Sequence, residues 1–117
     1  MTRVVRLAYG PSRLGGPSRL ARLEGRLTVA DDGCVFAAFP EEGTGSALAW
    51  PLDYSARVGA DDLVEIVDDQ GEVVLREGDA FTAAGGLGPD TPEAKHAREV
   101  HGLETFFIVL PVERLPR

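Results

Sequence analysis

From Leu23 to Gly86 the chain reads as one unbroken β meander, and this constrains the fold more than any other feature. Leu23, Gly25, Leu27 and Val29 fall on one face of a first strand, with Glu24, Arg26 and Thr28 on the other. That is the period-2 pattern of a half-buried strand. Gly25, in its middle, predicts a bulge or the close approach of another backbone. Asp32-Gly33 is a hairpin signal leading into Val35–Phe39. After the loop over 40–45, the strand Ala47–Trp50 stops at Pro51, which has no N–H to donate to a ladder. Leu63–Val67 and Glu72–Leu75 flank a turn at Asp69-Gln70-Gly71, and Glu77-Gly78-Asp79 turns the chain into Phe81. The order predicts a mainly β protein: a small antiparallel barrel of about six or seven strands.

One short helix interrupts the pattern before the last strand. Thr91 is a cap candidate, Pro92 suits the first helical position, Glu93 lies in the first turn and Gly102 follows the end, which predicts a helix over Pro92–His101. Lys95 and Glu99 form an i,i+4 pair on it. The apolar run Thr105–Leu110 then reads as a central barrel strand, and residues 3–8 as a strand adding to a sheet edge. The 117 residues suit a single domain. Residues 1–22 form an arginine-rich arm and a Gly/Pro loop in which G-P-S-R-L occurs twice, and 23–117 form the barrel.

The ordered set Leu23-x-Gly25-x-Leu27, Gly33-Cys34, Trp50-Pro51, Asp68 to Gly71, Gly78-Asp79 and Gly85-Gly86 resembles a family of small, uncharacterised bacterial domains with an OB-like barrel. The resemblance spans about two-thirds of the chain and leaves out the arginine-rich start. It implies an OB-like fold and no assigned activity.

Charge divides the chain. Residues 1–26 hold six arginines against Glu24, a net of +5, and the remainder carries −12, which together give the net −7. A basic arm beside an acidic body either docks on it or reaches an anionic partner, and docking is the reading favoured here. No apolar run approaches the ~20 residues of a membrane span, and no apolar core of a secretory signal follows the first arginines. Cys34 is the single cysteine, so no intrachain disulfide forms, in keeping with a cytoplasmic setting. It reads as a small buried hydrophobe.

The residues that could carry chemistry are few. His96 and His101 are five apart, so a straight helix points them about 140° from each other, and no aspartate or cysteine lies at ligand spacing beside them. They read as solvated or capping histidines, with His101 favouring the helix dipole. The pairs Asp31-Asp32, Glu41-Glu42, Asp61-Asp62 and Asp68-Asp69 fall in predicted turns, where Asp bonds nearby backbone N–H groups. No serine sits in a nucleophile elbow. The expectation is no catalytic residue, no cofactor and no metal.

Arg13 and Arg19, in the glycine-rich loop, and the aromatics Trp50 and Tyr54 are the candidate contacts for a ligand or partner. Core packing accounts for Trp50 and Phe81, whereas Tyr54, in the loop after Pro51, is the better candidate for exposure. The functional expectation is a non-enzymatic binding or accessory module, with a protein partner or a second copy of itself as the class of partner. The alternative is a single-stranded nucleic-acid or other anionic-polymer binder using the arginine-rich arm. The acidic body weighs against nucleic acid, because phosphate neutralisation dominates such affinity.

Overall fold

The computed structural model describes residues 5, 7–9, 21–39, 42–51, 53–87 and 91–116. Among these residues, nine strands and one helical segment follow in order: β1 (Ala8–Tyr9), β2 (Ala21–Val29), β3 (Val35–Phe39), β4 (Thr44–Trp50), β5 (Ser55–Val58), β6 (Val64–Val67), β7 (Val73–Arg76), β8 (Ala80–Leu87), α1 (Pro92–His96) running on as a π-helical turn (Ala97–His101), and β9 (Thr105–Arg114). Five of these strands close a barrel. β3 lies between β2 and β4, β2 pairs with β8, β8 with β9, and β9 returns to β4. The barrel strands therefore run first, second, third, fifth, fourth and back to first, an OB-like closure.

Four of the five barrel pairings are antiparallel, and the closing seam is parallel, with Ala47, Leu48 and Ala49 opposite Thr105, Phe106 and Phe107. A parallel seam needs a crossover, and the helix between β8 and β9 supplies it. The expected short helix thus stands between the penultimate and last strands, and Thr105–Leu110 lies in the central strand β9.

The three-stranded meander β5-β6-β7 is inserted between β4 and β8. Its strand β5 escaped the sequence reading, because Ser-Ala-Arg-Val is only four residues long, buries none of them and is held only along β6. The meander is not a separate unit. Val64, Ile66 and Leu75 share one core with Leu27, Trp50, Phe81 and Ile108. Backbone bonds fasten it to β2: the Gly78 N–H donates to Leu27 O at 2.8 Å, and the Leu27 N–H to Asp79 O at 2.9 Å.

Close approach requires glycine at 25, 45 and 85; at Gly45 a Cβ would stand 2.5 Å from Ala37 O. A Cβ on Gly25 would stand 3.0 Å from both Ala37 Cβ and Ala38 O, which fits the expectation of a neighbouring backbone there. A Cβ on Gly85 would stand 1.8 Å from Phe107 O and 2.8 Å from Phe106 Cε1, so β8 and β9 pass as closely as they do because residue 85 has no side chain.

Val5 and residues 7–9 dock on the barrel. Val5, Leu7 and Tyr9 pack against the core, β1 adds in parallel to β4, and the Tyr9 hydroxyl donates to Tyr54 O at 2.9 Å. Arg22 donates to the Thr82 hydroxyl at 3.5 Å. Docking of the basic arm implies that at least two of Arg3, Arg6, Arg13, Arg19 and Arg22 lie near carboxylates of the barrel or of a second copy; Arg22 meets a hydroxyl instead, and the other four lie outside the described residues.

Two stability predictions follow from this packing. Gly85→Ala should lower the urea midpoint without changing the m-value, at a cost of about 1–3 kcal/mol or more, because β8 and β9 must part to admit the methyl group. Deleting residues 1–9 should lower the melting temperature by about 10 °C, as roughly 2–3 kcal/mol of apolar burial is lost. An unchanged melting curve would show that the arm is not part of the fold.

Candidate functional site

The helix ends as its sequence signals indicate. The Thr91 hydroxyl accepts from the Ala94 N–H at 3.1 Å, Pro92 opens the first turn, and Gly102 closes the helix with φ of 69°. Between these caps it is not a straight α-helix, and the expectation that the two histidines diverge is corrected. From Ala97 to His101 the helix widens to a π turn. In a π turn residue i bonds to i+5, so residues five apart come to one side. His96 and His101 accordingly lie edge to face, with ring centroids 6.1 Å apart.

Both rings meet one carboxylate oxygen. His96 Nε2 and His101 Nε2 each lie 2.8 Å from Asp32 Oδ2. Asp32 belongs to the β2–β3 hairpin, 64 residues before His96. Its other oxygen, Oδ1, accepts from the Cys34 N–H at 3.1 Å. This local bond is the turn role expected of Asp32, and it aims Oδ2 at the helix. His101 also stacks on Phe36 of β3, with centroids 6.5 Å apart. The side chains of Asp32, His96 and His101 are 33%, 50% and 24% exposed. The cluster therefore sits at the surface with one wall against the protein.

The hydrogen bond with His96, then those with the Cys34 N–H and His101, hold the Asp32 carboxyl far below the usual carboxylate range. A lowered carboxyl pKa stabilises the fold above the unfolded value and loses that contribution as the pH falls through the folded one. The cluster thus ties helix to hairpin at neutral pH. Its three donor atoms lie within 4.8 Å of one another, the one group of three potential metal ligands among the described residues.

Beside the cluster is a cavity of about 280 Å³, lined by Asp32, Cys34, Ala47, His96, Ala97 and Thr105 among others. The Thr105 hydroxyl is buried and has no hydrogen-bond partner. Cys34 was expected to be mostly buried and is instead half-buried. It stands at the end of the barrel, covered on one side by Ala47, Ala97 and Leu103. Burial, and then the Asp32 charge, push its thiol pKa up, so it is a poor nucleophile.

The aromatics proposed as contacts lie in the core. Trp50 is fully buried, as core packing requires, and its indole Nε1 has no partner. Tyr54 is only 8% exposed, which corrects the expectation of a surface ring. Its N–H donates to Pro51 O at 3.0 Å in a turn, and the ring stacks on Trp50 with centroids 6.0 Å apart. Neither ring offers a base-stacking platform at the surface. Arg13 and Arg19 lie outside the described residues.

A second concavity lies on the barrel wall. β2 pairs with β8 from Ala21 to Arg26, but with β3 only from Arg26 to Val29. Beside the first half of β2 runs a groove of about 840 Å³. Its walls include Arg22, Glu24, Arg26, Phe39, Glu42 and Phe106. Neither the groove nor the Asp–His–His cluster was visible in the sequence. The groove depends on where a strand pairing stops, and the cluster on a π turn and a contact remote in sequence. No family model, curated protein or solved structure matches the chain.

Proposed function

We propose that the protein is a non-enzymatic binding module whose partner is an extended polypeptide segment lying along the first half of β2. The observation that carries this reading is the place where β2 parts from β3. Among the described residues, Ala21–Gly25 pair with β8 alone, and the other side of that stretch fronts the groove. An extended peptide takes its affinity from main-chain bonds to such an edge and its specificity from flanking pockets. Phe39 and Phe106 supply apolar walls, while Arg22 and Arg26 line the groove together with Glu24 and Glu42. A rim with both signs of charge suits a peptide carrying both signs better than a polyanion. The resemblance to OB-like domains implies a fold and adds no activity. The histidines turn their Nε2 atoms to Asp32 rather than to a serine, which supports a non-catalytic reading.

A second reading is binding of an anionic polymer. It draws on Arg22 and Arg26, which stand on the same groove and follow the arginines of the arm. The acidic remainder of the chain opposes it.

The two readings separate in one experiment. Peptides selected from a random library on the immobilised protein should perturb backbone amide resonances of Leu23–Arg26, Phe39 and Ser46. The double variant Arg22→Glu with Arg26→Glu should change which peptides are selected while leaving the melting curve in place. Perturbations confined to other surfaces would overturn the peptide reading. Retention on heparin that falls steeply with salt and is lost in the double variant, with no peptide selected, would put the polyanion reading in its place.

A further inference from the structure

We infer that Asp32, His96 and His101 form a binding site for a divalent transition-metal ion of the zinc class, open on one side to the cavity lined by Thr105. Three independent observations carry this. The first is the donor set. Two imidazole nitrogens and one carboxylate oxygen are ligands that zinc takes, and two histidines with one carboxylate leave further positions for water or a small molecule. Hard cations such as magnesium and calcium call for oxygen donors and do not suit this set.

The second is the geometry. Ligand atoms about 2.0–2.1 Å from a tetrahedral zinc lie roughly 3.3 Å apart. Asp32 Oδ2 stands 2.8 Å from each Nε2, so the carboxylate needs to part from each ring by only about half an ångström, and all three donor atoms already lie within 4.8 Å of one another. Their exposure leaves them free to do so. Without metal, the carboxylate oxygen accepts an N–H from each ring. With metal, each neutral imidazole presents Nε2 as the ligand and carries its proton on Nδ1, so no oxidant or further reactant is needed. The Cys34 N–H already holds Asp32 Oδ1, the kind of outer contact that orients a ligating carboxylate. The π turn brings the rings together, and such turns concentrate at functional sites.

The third observation lies outside the triad. The cavity of about 280 Å³ beside it is lined by the half-buried Thr105, whose hydroxyl oxygen is itself buried and has no hydrogen-bond partner. A buried hydroxyl without a partner costs stability, and a metal-bound water or small oxyanion in this cavity would satisfy it. The site is independent of the β2 groove: the two concavities share no lining residue.

The test uses the full chain without an affinity tag. Titration calorimetry with zinc chloride should give one ion per chain, with magnesium and calcium giving no heat at the same concentration. Cobalt(II) should show visible d–d absorption that zinc abolishes. Asp32→Asn, His96→Gln and His101→Gln should each weaken zinc binding by at least about a hundredfold, since loss of an outer-shell partner alone costs 10–100-fold. His96 is half-exposed, so His96→Gln keeps the test valid if either other variant fails to fold. The imidazole nitrogen resonances of His96 and His101 should move on zinc addition, a readout that a purely structural cluster would not give. Lys95→Ala, an exposed residue of the same helix that lines neither the cluster nor the cavity, should leave affinity within about twofold. The proposal is overturned by either of two results: no binding at 100-fold molar excess of zinc, or binding that His96→Gln leaves intact.

Discussion

The closing seam between β4 and β9 decides where everything else stands. Ala47 lies opposite Phe36 on one side and Thr105 on the other, and the Ala47 N–H donates to Glu104 O at 2.8 Å. Because the seam is parallel, the chain must cross over before β9 begins. Its register then fixes the end of that crossover beside the start of β3. The β2–β3 hairpin projects from the same place. Helix and hairpin therefore meet by the arithmetic of strand register, and the contact of His96 and His101 with Asp32 follows from barrel closure. The seam itself depends on residues without bulk: Ala47 and Ala49 are buried within it, and Gly85 lets β8 press against β9.

Much of this was legible in the sequence because it is local. Hairpin turns at Gly33 and Gly71 have positive φ, as does Gly78, and each stands where a turn was read. The caps at Thr91 and Gly102 were legible for the same reason, since each acts on backbone groups within a few residues. What stayed hidden was set by distance in the chain or by a small change of helical pitch. Nothing in A-K-H-A-R-E-V-H announces a π turn, yet that one extra residue per turn replaces divergence with convergence. Asp32 looked like an ordinary turn aspartate, and with Oδ1 it is one. Its second oxygen acquires a different role only when the barrel closes. Tyr54 misled in another way: its position after a proline suggested a loop, but the turn from Pro51 folds the ring back on Trp50.

The uneven charge also takes a more specific meaning in three dimensions. Apolar side chains hold the start of the chain, with Val5, Leu7 and Tyr9 on the core. Exposed ion pairs contribute about 0–1 kcal/mol each and would not hold it alone. The meander carries its own charge network, in which Glu65 pairs with both Arg57 and Arg76, and Arg76 also reaches Asp61. Those basic groups are committed within the meander. Arg22 and Arg26 stand instead on a groove, although Arg26 Nη1 also donates to Gly78 O at 2.7 Å. Their neighbours there, Glu24 and Glu42, keep the groove from becoming a continuous anion track.

The two concavities use opposite ends of one short strand. Cys34, just before β3, lines the cavity beside the histidines, whereas Phe39, the last residue of β3, lines the groove. Five intervening residue steps in extended conformation span roughly 16 Å. Between them Val35 and Ala37 are buried in the core, and Phe36 is held against His101 on one side and paired with β2 and β4 on its edges. A strand paired along both edges moves as part of the barrel, so it is a rigid spacer rather than a lever. The two linings share no residue, and where they adjoin, at Ser46-Ala47 and Thr105-Phe106, successive side chains point to opposite faces of the strand. Among the described residues the barrel thus presents the Asp–His–His cluster at one end of this strand and, at the other, a stretch of β2 paired with β8 alone. Its packing gives no reason for an event at one to be felt at the other.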